Sequence, residues 1–489
     1  MNAAEEYDVL VLGGGTSGKL VAWTMAKEGR RTAVVDRKYI GGSCPNIACL
    51  PSKNVIHSAK VASLVKRHRE FGIETGPISI DMAGVYARKR EMVEGIIQVH
   101  LDKYHQALDP RRGDELIFGN ATFVAPRTVH VALRDGGERT LTAGRVFVNV
   151  GTHAAIPDAP GLREAKPMTH IEALDLQRCP DHLIVLGGGY VGLELSQALR
   201  RLGSRVTLIE RSSQVASNED ADVSQAILQL FQDEGIGVLL GTQVLRVNGL
   251  SGDRVSLQLQ TAGSTRNSTT QTLEGTDILV ATGRTPNTAG LGLEKAGIEI
   301  TEKGHIRVND RLETTAPNVW AMGECAGSPY FTHVSEDDFN IIHENLNGGH
   351  RSTRDRLVPY CVFIDPELAR VGLNESQARE RKIAYGVASV PVAAAAWRPW
   401  TLSEKRGFMK TLIAADSDRI LGFTAFGPEA GELMGTVQLA MLAGVPYTLL
   451  RDTMFAHPTM TEGLKTLFMA VPQPPEKAEQ VQPARTYAD

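Results

Sequence analysis

The sequence predicts an α/β fold with two Rossmann-like dinucleotide-binding domains and a C-terminal α/β dimerisation domain. The pattern glycine-x-glycine-x-x-glycine occurs twice, at residues 13–18 and 187–192. Each copy stands between an apolar run typical of a buried strand and a helical pattern. A length of 489 residues also exceeds what one hydrophobic core supports. These observations favour several domains, two of them built on the same nucleotide-binding plan.

Composition and charge narrow the class of protein. The chain is 42% hydrophobic and 22% charged, as globular proteins commonly are, and its net charge of −4 gives no basic surface for a nucleic acid. No apolar run reaches the ~18 residues of a membrane span, and the N-terminus lacks a signal-peptide pattern. Five cysteines, an odd number, do not suggest a secreted disulfide framework. We therefore expect a cytoplasmic protein without nucleic-acid or membrane partners.

The first nucleotide-binding module occupies the N-terminus. A strand is predicted at residues 7–12, a helix at 19–27 and a second strand at 32–35. The turn between the first strand and the helix contains the glycines that let a pyrophosphate approach the backbone: Gly13, Gly15 and Gly18. Asp36 follows 21 residues after Gly15, where a carboxylate can accept a hydrogen bond from a ribose hydroxyl.

The same module recurs 174 residues later. Strands are predicted at residues 183–186 and 206–209, with a helix at 193–202 between them. Its turn contains Gly187, Gly189 and Gly192, and Glu210 again follows 21 residues after the second glycine. Two such sites in one chain imply electron transfer between two bound cofactors.

The acid at the end of the second module bears on which nicotinamide nucleotide binds there. A carboxylate at Glu210 pairs with the ribose 2′-hydroxyl of NADH and repels the 2′-phosphate of NADPH. Arg205 and Arg211 are near enough in sequence to attract that phosphate. The sequence therefore favours NADH and leaves NADPH open.

Two cysteines lie close together in the segment 41–53, between a glycine pair and a Pro-Ser-Lys turn. In a regular helix Cys44 and Cys49 would have Cα atoms roughly 8.7 Å apart, whereas a disulfide tolerates about 7 Å. Pro45 suits the first position of a helix, but Pro51 cannot continue that helix without distorting it. A bent helix start could bring both sulfurs together and favour a thiolate. Two buried structural cysteines are the alternative.

The remaining elements follow from periodicity and turn residues. An N-cap at Asn374 is predicted to begin a helix that runs through Arg381. An apolar helix at 431–443 is typical of a dimer interface, although packing on its own sheet gives the same pattern. The other predicted elements are helices at 53–69 and 85–108, an antiparallel meander at 115–150, a hairpin at 251–277, strands at 360–363, 408–413 and 420–426, and a disordered tail at 471–489.

A histidine near the C-terminus precedes a carboxylate by five residues. Glu462 can orient the imidazole of His457 and raise its pKa, which suits an acid–base catalyst. A lone histidine is more often structural, so the pattern alone leaves both interpretations open.

Together these motifs resemble the pyridine nucleotide–disulfide oxidoreductases, which include dihydrolipoamide dehydrogenase, glutathione reductase and mercuric reductase. The resemblance spans residues 5–470. Besides the two glycine turns it is carried by Gly-Gly-Ser-Cys-x4-Cys-x-Pro-Ser-Lys at 41–53, Ala-Thr-Gly-Arg-Thr-Pro-Asn at 281–287, Ala-Met-Gly-Glu at 321–324 and His-Pro-Thr-x-x-Glu at 457–462.

The resemblance implies a division of the chain. FAD would bind to residues 1–151 and 287–350, and NADH or NADPH to residues 152–286. Residues 351–470 would form the dimerisation domain.

The resemblance also implies the roles of individual side chains. Cys49 would be the thiolate beside the flavin, and Cys44 the outer thiol that exchanges with substrate. The ion pair of Lys53 and Glu194 would lie beside the flavin and the nicotinamide. His457, held by Glu462, would come from the other subunit of a homodimer. Cofactor contacts are implied at Gly13, Gly15, Gly18, Asp36, Gly42, Ser43, Lys53, Gly151, Gly187, Gly189, Gly192, Glu210, Gly283, Arg284, Gly323 and Glu324.

This chain departs from the family pattern at three positions. Glu324 stands where the family usually has an aspartate for the flavin ribitol, and Ser43 and Ala48 replace a threonine and a glycine. Residues 331–338 and 390–393 are most similar to the mercuric-reductase-like branch. However, no segment resembles the N-terminal metal-binding domain of that branch, and Cys179, Cys325 and Cys361 lack metal-ligand spacing.

The resemblance implies an oxidoreductase in which electrons pass from NAD(P)H through FAD to a Cys44–Cys49 disulfide. A small-molecule disulfide or a metal ion would then be reduced. The alternatives are a dihydrolipoamide dehydrogenase and a flavoprotein redox sensor that does not turn over.

Overall fold

The computed structural model describes residues 4–262 and 269–472. Contacts between residues divide the chain into two compact units. Unit 1 contains the described residues of 1–218 and 224–356, and unit 2 those of 219–223 and 357–489. The tip of the predicted hairpin, at 263–268, and the predicted tail beyond residue 472 lie outside the described residues. No helix in the described part of the chain is long and apolar enough to cross a bilayer.

The first βαβ module of unit 1 is formed as predicted. Its elements are β1 (Glu5–Leu12), α1 (Thr16–Lys27), β2 (Thr32–Asp36), α2 (Ser43–Asn46), α3 (Cys49–Lys66), α4 (Met82–Ala107), β3 (Glu115–Ala125), β4 (Thr128–Leu133) and β5 (Glu138–Val148). The interior strand β1 pairs in parallel with both β2 and β5, so Leu10 lies opposite Ala33 on one side and Val146 on the other. Both faces of this sheet are covered, which explains the continuous apolar sequence of β1.

The predicted antiparallel meander is present and belongs to the same six-stranded sheet as β1 and β2. β3, β4 and β5 pair antiparallel with one another, as expected. The first residues of β3 also pair in parallel with β2, and β5 pairs in parallel with β1. The meander therefore extends the nucleotide-binding sheet, because its apolar strand ends can be buried against β1 and β2.

The second module forms another parallel sheet. The elements are β6 (Thr152–Ala154), α5 (His170–Leu174), β7 (His182–Leu186), α6 (Tyr190–Leu202), β8 (Arg205–Ile209), α7 (Ala221–Asp233), β9 (Gly237–Leu239), β10 (Thr242–Leu250), β11 (Arg254–Thr261), β12 (Thr269–Gly275), β13 (Asp277–Val280) and β14 (Arg284–Pro286). The parallel strands lie in the order β13-β7-β8-β9. The predicted hairpin strands β11 and β12 join β10 in a three-stranded antiparallel sheet.

The chain then returns to the first module. β15 (Val319–Ala321) pairs in parallel with β5, and α8 (Thr332–Leu346) follows. Ser17 on α1 and Ser335 on α8 are joined by hydrogen bonds. The division of unit 1 into a FAD-binding and an NAD(P)H-binding domain at residues 151 and 286 stays a prediction.

Unit 2 is an antiparallel sheet with helices. The elements are β16 (Tyr360–Val362), β17 (Glu367–Gly372), α9 (Glu375–Glu380), β18 (Tyr385–Pro391), α10 (Val392–Ala395), α11 (Arg398–Thr401), β19 (Phe408–Ala414), β20 (Ile420–Gly427), α12 (Ala430–Leu442), α13 (Tyr447–Asp452) and α14 (Gly463–Met469). The sheet order is β16-β17-β20-β19-β18. Asn374 caps α9 as predicted, since its side chain accepts a hydrogen bond of 2.9 Å from the Gln377 N–H.

The apolar helix α12 packs on the sheet of its own unit, which was one of the two interpretations of its sequence, and the dimer interface stays a prediction. One face, with Leu433 and Val437, is buried against the sheet of unit 2. The other face leaves Leu439 and Leu442 70% and 61% exposed. Large apolar side chains this exposed are typical of a surface that another protein covers.

A buried lysine is central to unit 2. Lys410 on β19 is 1% exposed, and its ammonium group donates hydrogen bonds to Asp220, Asp222 and Glu375. Burial alone would lower the pKa of Lys410, but the hydrogen bonds to the two aspartates outweigh it and raise the pKa. The lysine therefore stays charged and neutralises carboxylates that would otherwise repel one another.

Replacing Lys410 should lower the stability of unit 2. Lys410→Met leaves three carboxylates without their cation, so we expect the free energy of opening of β19 and β20 to fall by about 3–5 kcal/mol. Hydrogen–deuterium exchange of the amides in these strands measures that change. Lys405→Met is the matched control, because this exposed lysine only covers the Trp400 ring and should cost about 0.5–1 kcal/mol. Equal protection in the two variants would contradict a structural role for Lys410.

Candidate active site

The helix of the cysteine segment is broken between the two cysteines. α2 ends at Asn46 and α3 begins at Cys49, with Ile47 and Ala48 in non-helical conformations. Pro51 occupies the third position of α3, where its missing N–H leaves no helical hydrogen bond unmade. The Asn46 amide donates hydrogen bonds to the carbonyl oxygens of Ile40 and Gly42, at 2.8 and 2.7 Å. The irregular backbone predicted from the two prolines is therefore present.

The break brings the two sulfurs into contact. Cys44 and Cys49 are free thiols in this structure, and the Cys44 thiol donates a hydrogen bond to Cys49. This hydrogen bond lowers the pKa of Cys49 to about 6 despite burial, and the Thr332 hydroxyl and the charge of Lys53 act in the same direction. The same hydrogen bond, followed by burial, raises the pKa of Cys44. Cys49 is thus the thiolate of the pair at neutral pH.

Thr332 was not predicted to belong to the site. Its hydroxyl oxygen lies 3.4 Å from the Cys49 sulfur, although the two residues are 283 positions apart in the chain. Thr332 is the first residue of α8, whose N-terminus has no side-chain cap. No local pattern marks this threonine, because its role depends on the return of the chain to the first module.

A lysine one turn beyond Cys49 forms a largely buried ion pair. Lys53 on α3 donates a hydrogen bond of 2.8 Å to Glu194 on α6. The Glu194 side chain is 8% exposed and that of Lys53 is 33% exposed. The pair therefore joins the cysteine segment to the second nucleotide-binding module. A buried carboxylate of this kind would be costly without its cation.

The first glycine turn has the shape of a phosphate cradle. Gly13 has a φ of +94°, and a Cβ atom at Gly18 would lie 2.1 Å from the Gly13 carbonyl oxygen. Gly15 precedes α1 and has no side chain to cap it. Asp36 accepts a hydrogen bond of 2.7 Å from the Gly14 N–H. These features fit the pyrophosphate and ribose of a dinucleotide.

The cysteine segment lies directly against this cradle. Gly42 has a φ of +81°, and a Cβ atom there would lie 2.6 Å from the Cα atom of Gly15. Ser43 then begins α2. Tyr104 places its buried hydroxyl beside Gly14, and that oxygen has no partner among the described residues. The residues present at this turn therefore fit FAD.

The second glycine turn repeats the first. Gly187 has a φ of +105°, and a Cβ atom at Gly192 would lie 1.9 Å from the Gly187 carbonyl oxygen. Gly189 precedes α6, again without a side-chain cap. Glu210 accepts hydrogen bonds from the Gly188 N–H at 2.6 Å and from the Ser212 N–H at 2.7 Å. These residues fit a nicotinamide dinucleotide.

Glu324 is already engaged by protein groups. It accepts a hydrogen bond from the Thr152 hydroxyl and forms an ion pair of 3.1 Å with Arg284. Thr152 and Arg284 lie on β6 and β14, the two strands that connect the modules. The nearby glycines Gly151, Gly283 and Gly323 all have positive φ. Glu324 therefore stabilises the two strands that connect the modules. The sequence did not predict this role.

Two further polar residues fix nearby backbone, one at the first glycine turn and one at Gly323. The Asn149 side chain accepts a hydrogen bond of 3.1 Å from the Gly18 N–H and donates one of 2.9 Å to the Met322 carbonyl. Asp338 is fully buried and accepts a hydrogen bond of 2.6 Å from the Gly323 N–H. A polar side chain directly after the buried strand β5 was the available signal for Asn149. Asp338 gave no such signal, since acidic residues surround it in the sequence.

The predicted acid–base pair lies in unit 2. His457 Nδ1 and Glu462 Oε2 are 2.8 Å apart. The histidine side chain is 63% exposed, whereas that of Glu462 is 15% exposed. The carboxylate thus orients the imidazole and leaves its other ring nitrogen available to a ligand or to another chain.

The described residues contain no group of three or more histidine, cysteine, aspartate or glutamate side chains arranged to hold a metal ion. Cys325 is buried, and Cys179 and Cys361 are half-buried.

Comparisons with known proteins agree with this geometry. The family model "Pyridine nucleotide-disulphide oxidoreductase" matches residues 7–338, and the dimerisation-domain model of the same family matches residues 358–468. The chain is 34% identical over 471 residues to the probable pyridine nucleotide-disulfide oxidoreductase RclA of Escherichia coli (strain K12), covering 95% of this chain and 99% of the relative. It is also 34% identical to mercuric reductase of Acidithiobacillus ferrooxidans, with coverages of 95% and 82%.

A third relative is dihydrolipoamide dehydrogenase of Chaetomium thermophilum, at 32% identity with coverages of 95% and 91%. A solved Cu(II) complex of the HOCl-induced flavoprotein disulfide reductase RclA from Escherichia coli has a TM-score of 0.84 to this chain at 32% identity, covering 95% of this chain and 99% of that one. The predicted α/β architecture is confirmed by this likeness.

The environment of Cys49 predicts how its charge depends on pH. Because its pKa is lowered to about 6, the reduced protein should keep this thiolate at neutral pH and lose it as the pH falls through about 6. Thr332→Val removes a hydroxyl that stabilises the thiolate, so its titration should move to higher pH. The measurement is the thiolate ultraviolet absorbance of reduced protein minus that of Cys49→Ser, from about pH 4 to about pH 9. A thiolate that appears only near the ordinary cysteine pKa would contradict this environment.

Proposed function

Because the chain belongs to the pyridine nucleotide-disulphide oxidoreductases, we propose that it is an FAD-dependent reductase that uses NADH to reduce a disulfide substrate. The single observation that carries this proposal is the contact of Cys44 and Cys49 beside the first glycine turn, with Cys49 stabilised as a thiolate. A structural cysteine pair needs neither the lowered pKa nor the adjoining cradle.

FAD would be held by the first module. Gly13, Gly15 and Gly18 would cradle its pyrophosphate together with Gly42, and Asp36 would accept a ribose hydroxyl hydrogen bond. Bound FAD supplies two-electron chemistry between a nicotinamide and a disulfide. Residues 1–151 with 287–350 are the proposed FAD-binding domain, and residues 152–286 the proposed nicotinamide-binding domain.

The two cysteines would carry the thiol chemistry. The Cys44 thiolate attacks one sulfur of the substrate disulfide, forms a mixed disulfide and releases the first product thiolate. The Cys49 thiolate then attacks the Cys44 sulfur, which closes the Cys44–Cys49 bond and releases the second product. The two electrons gained by the substrate come from NADH, whose hydride restores the dithiol on the next turnover.

The Lys53–Glu194 pair would set the charge around this step. Lys53 stabilises the Cys49 thiolate electrostatically, and Glu194 keeps the lysine in place at 2.8 Å. Since Glu194 lies on the first turns of α6, just after the second glycine turn, it also links the thiolate to the proposed nicotinamide site.

His457 would move the protons. Glu462 holds the imidazole through Nδ1, so Nε2 can donate a proton to a departing thiolate and remove one from the Cys44 thiol. The match to the dimerisation-domain model indicates a homodimer. In that dimer we propose that His457 of each subunit serves the cysteines of the other, with the exposed face of α12 covered by the partner.

NADH is the proposed electron donor. Both Glu210 oxygens accept backbone hydrogen bonds, which fixes the carboxylate where it repels a 2′-phosphate. Arg205 lies at the end of β8 opposite to Glu210, and the extended chain between the two residues spans roughly 16 Å. The Arg205 side chain donates a hydrogen bond of 2.6 Å to His182. Of the two arginines that left NADPH open, only Arg211 is near Glu210.

Metal-ion reduction is the second candidate function. It is favoured by the likeness to mercuric reductase and to a reductase solved as a Cu(II) complex. A dithiol with a low pKa can reduce Cu(II) or bind Hg(II) as readily as it reduces a disulfide. Dihydrolipoamide dehydrogenase activity and a non-turnover redox sensor remain the alternatives within the family.

Cys44→Ser tests the disulfide relay. The variant should oxidise NADH with oxygen at a rate near that of the wild type, but its reduction of disulfides should fall at least about 10³-fold, because serine cannot exchange with a disulfide. The assay couples NADH oxidation to lipoamide, glutathione disulfide, Cu(II) and Hg(II) in parallel. Cys179→Ser is the matched control and should keep all activities. Unchanged disulfide reduction by Cys44→Ser would refute the proposal.

Glu210→Ala tests the choice of nucleotide. Removing the carboxylate abolishes its repulsion of the 2′-phosphate and its hydrogen bond to the 2′-hydroxyl. We expect the ratio of kcat/KM for NADH to that for NADPH to fall by about tenfold or more, equivalent to about 1.4 kcal/mol. Steady-state rates with each nucleotide measure this ratio. A wild type that already prefers NADPH would contradict the assignment.

A further inference from the structure

Helix α8 contacts its surroundings through three polar side chains on one face. Thr332, Ser335 and Asp338 are spaced three residues apart, so they follow one stripe of the helix. The Thr332 hydroxyl lies 3.4 Å from the Cys49 sulfur. The Ser335 hydroxyl accepts a hydrogen bond of 3.3 Å from the Ser17 N–H at the start of α1. The third side chain, that of Asp338, has no role in the relay proposed above.

Asp338 joins the two ends of one turn. Its Oδ2 atom accepts hydrogen bonds of 2.6 Å from the Gly323 N–H and of 2.8 Å from the Ser328 hydroxyl. Its Oδ1 atom pairs with Arg356, whose side chain is only 11% exposed. Burial raises the pKa of Asp338, and the charge of Arg356 and the three hydrogen bonds oppose this effect. All three partners are donors, which fits an ionised carboxylate that accepts on both oxygens.

The turn held by Asp338 leads directly into the first turn of α8. Ser328 precedes Thr332 by four residues, and Phe331 at the N-cap position provides no side-chain cap. The start of a helix without such a cap depends on other contacts for its position. Asp338 binds Ser328 from a point about 9 Å further along the same helix. The carboxylate therefore ties the segment that precedes Thr332 back onto the body of α8.

The position of the Thr332 hydroxyl matters because this group stabilises a charge. The Cys44 thiol lowers the pKa of Cys49 to about 6, burial opposes it, and the Thr332 hydroxyl adds to the lowering. A hydrogen bond weakens steeply as its length and angle depart from the ideal geometry. A small displacement at the start of α8 would therefore weaken the stabilisation of the thiolate.

We propose that Asp338 is a positioning residue, which holds the start of α8 so that the Thr332 hydroxyl stabilises the Cys49 thiolate. It acts on the thiolate through the turn that ends at Ser328. This inference rests on the proposed role of Cys49 in the relay, but its test needs no turnover. Its failure would leave disulfide reduction standing, and a protein that reduces no disulfide could still show the predicted titration.

Asp338→Asn tests this role with almost no change in shape. An amide has one acceptor oxygen and one donor nitrogen, so it cannot accept hydrogen bonds both from the turn and from Arg356. We expect the titration of Cys49 in the reduced holoenzyme to move upward by about 0.5–1 pH unit. The readout is the ultraviolet thiolate absorbance minus that of the same variant carrying Cys49→Ser.

The direction of the shift separates positioning from charge. Loss of the negative charge of Asp338 would by itself favour the thiolate and lower the pKa of Cys49. An upward shift therefore reports a displaced hydroxyl. Glu344→Gln is the matched control, because it removes a carboxylate that is 54% exposed near the end of the same helix. This control should leave the titration of Cys49 unchanged.

A double-mutant cycle shows whether the effect passes through Thr332. In a Thr332→Val protein, which has no hydroxyl to position, Asp338→Asn should change the Cys49 titration by less than about 0.3 pH unit. Ser328→Ala removes one hydrogen bond from the carboxylate and should give a smaller upward shift, again only when Thr332 is present. This milder variant carries the test if Asp338→Asn does not fold or does not retain FAD.

Three results would overturn the inference. A downward shift in Asp338→Asn would mean that the carboxylate acts through its charge. Equal upward shifts with and without the Thr332 hydroxyl would mean that it acts by another route. An unchanged titration in both Asp338→Asn and Ser328→Ala would mean that it does not act on the thiolate.

Discussion

The contact between two sulfurs is the constraint on which the rest of the site depends. It exists because the helix stops at Asn46 and starts again at Cys49, with Pro51 placed in the new first turn. In an unbroken helix the Cα atoms of Cys44 and Cys49 would be roughly 8.7 Å apart. The two thiols could then neither share a proton nor form a disulfide bond. Once they touch, one thiol stabilises the other as a thiolate, and Lys53 and Thr332 reinforce that asymmetry.

The two nucleotide-binding modules share the same hydrogen bond between the glycine turn and the acid. In each, the acid at the end of the second strand accepts a hydrogen bond from the middle glycine of the turn, Gly14 to Asp36 and Gly188 to Glu210. This bond fixes the carboxylate beside the glycine turn in both modules. The modules differ in what adjoins them. The first turn is covered by the cysteine segment at Gly42, whereas the helix after the second turn is joined to that segment by the ion pair of Lys53 and Glu194.

Features encoded in short stretches of sequence could be predicted. The glycine turns, the broken cysteine helix and the cap at Asn374 each depend on residues fewer than about twenty positions apart, where steric and hydrogen-bonding rules apply directly. Features that depend on the return of the chain to the first module, far along the sequence, could not be predicted. Thr332 meets Cys49, and Glu324 meets Arg284, only because β15 pairs with β5. The antiparallel meander was predicted correctly, but its parallel pairing with β2 and β1 was not, since pairing between β2 and β3 leaves no local signal.

The account can be tested most directly by counting thiols before and after anaerobic addition of NADH to the purified holoenzyme under denaturing quench. If Cys44 and Cys49 form the disulfide that accepts electrons, two new thiols per chain should appear, and peptide mapping should locate both at these positions. No gain of thiols, or a gain at Cys179, Cys325 or Cys361 instead, would contradict the central claim.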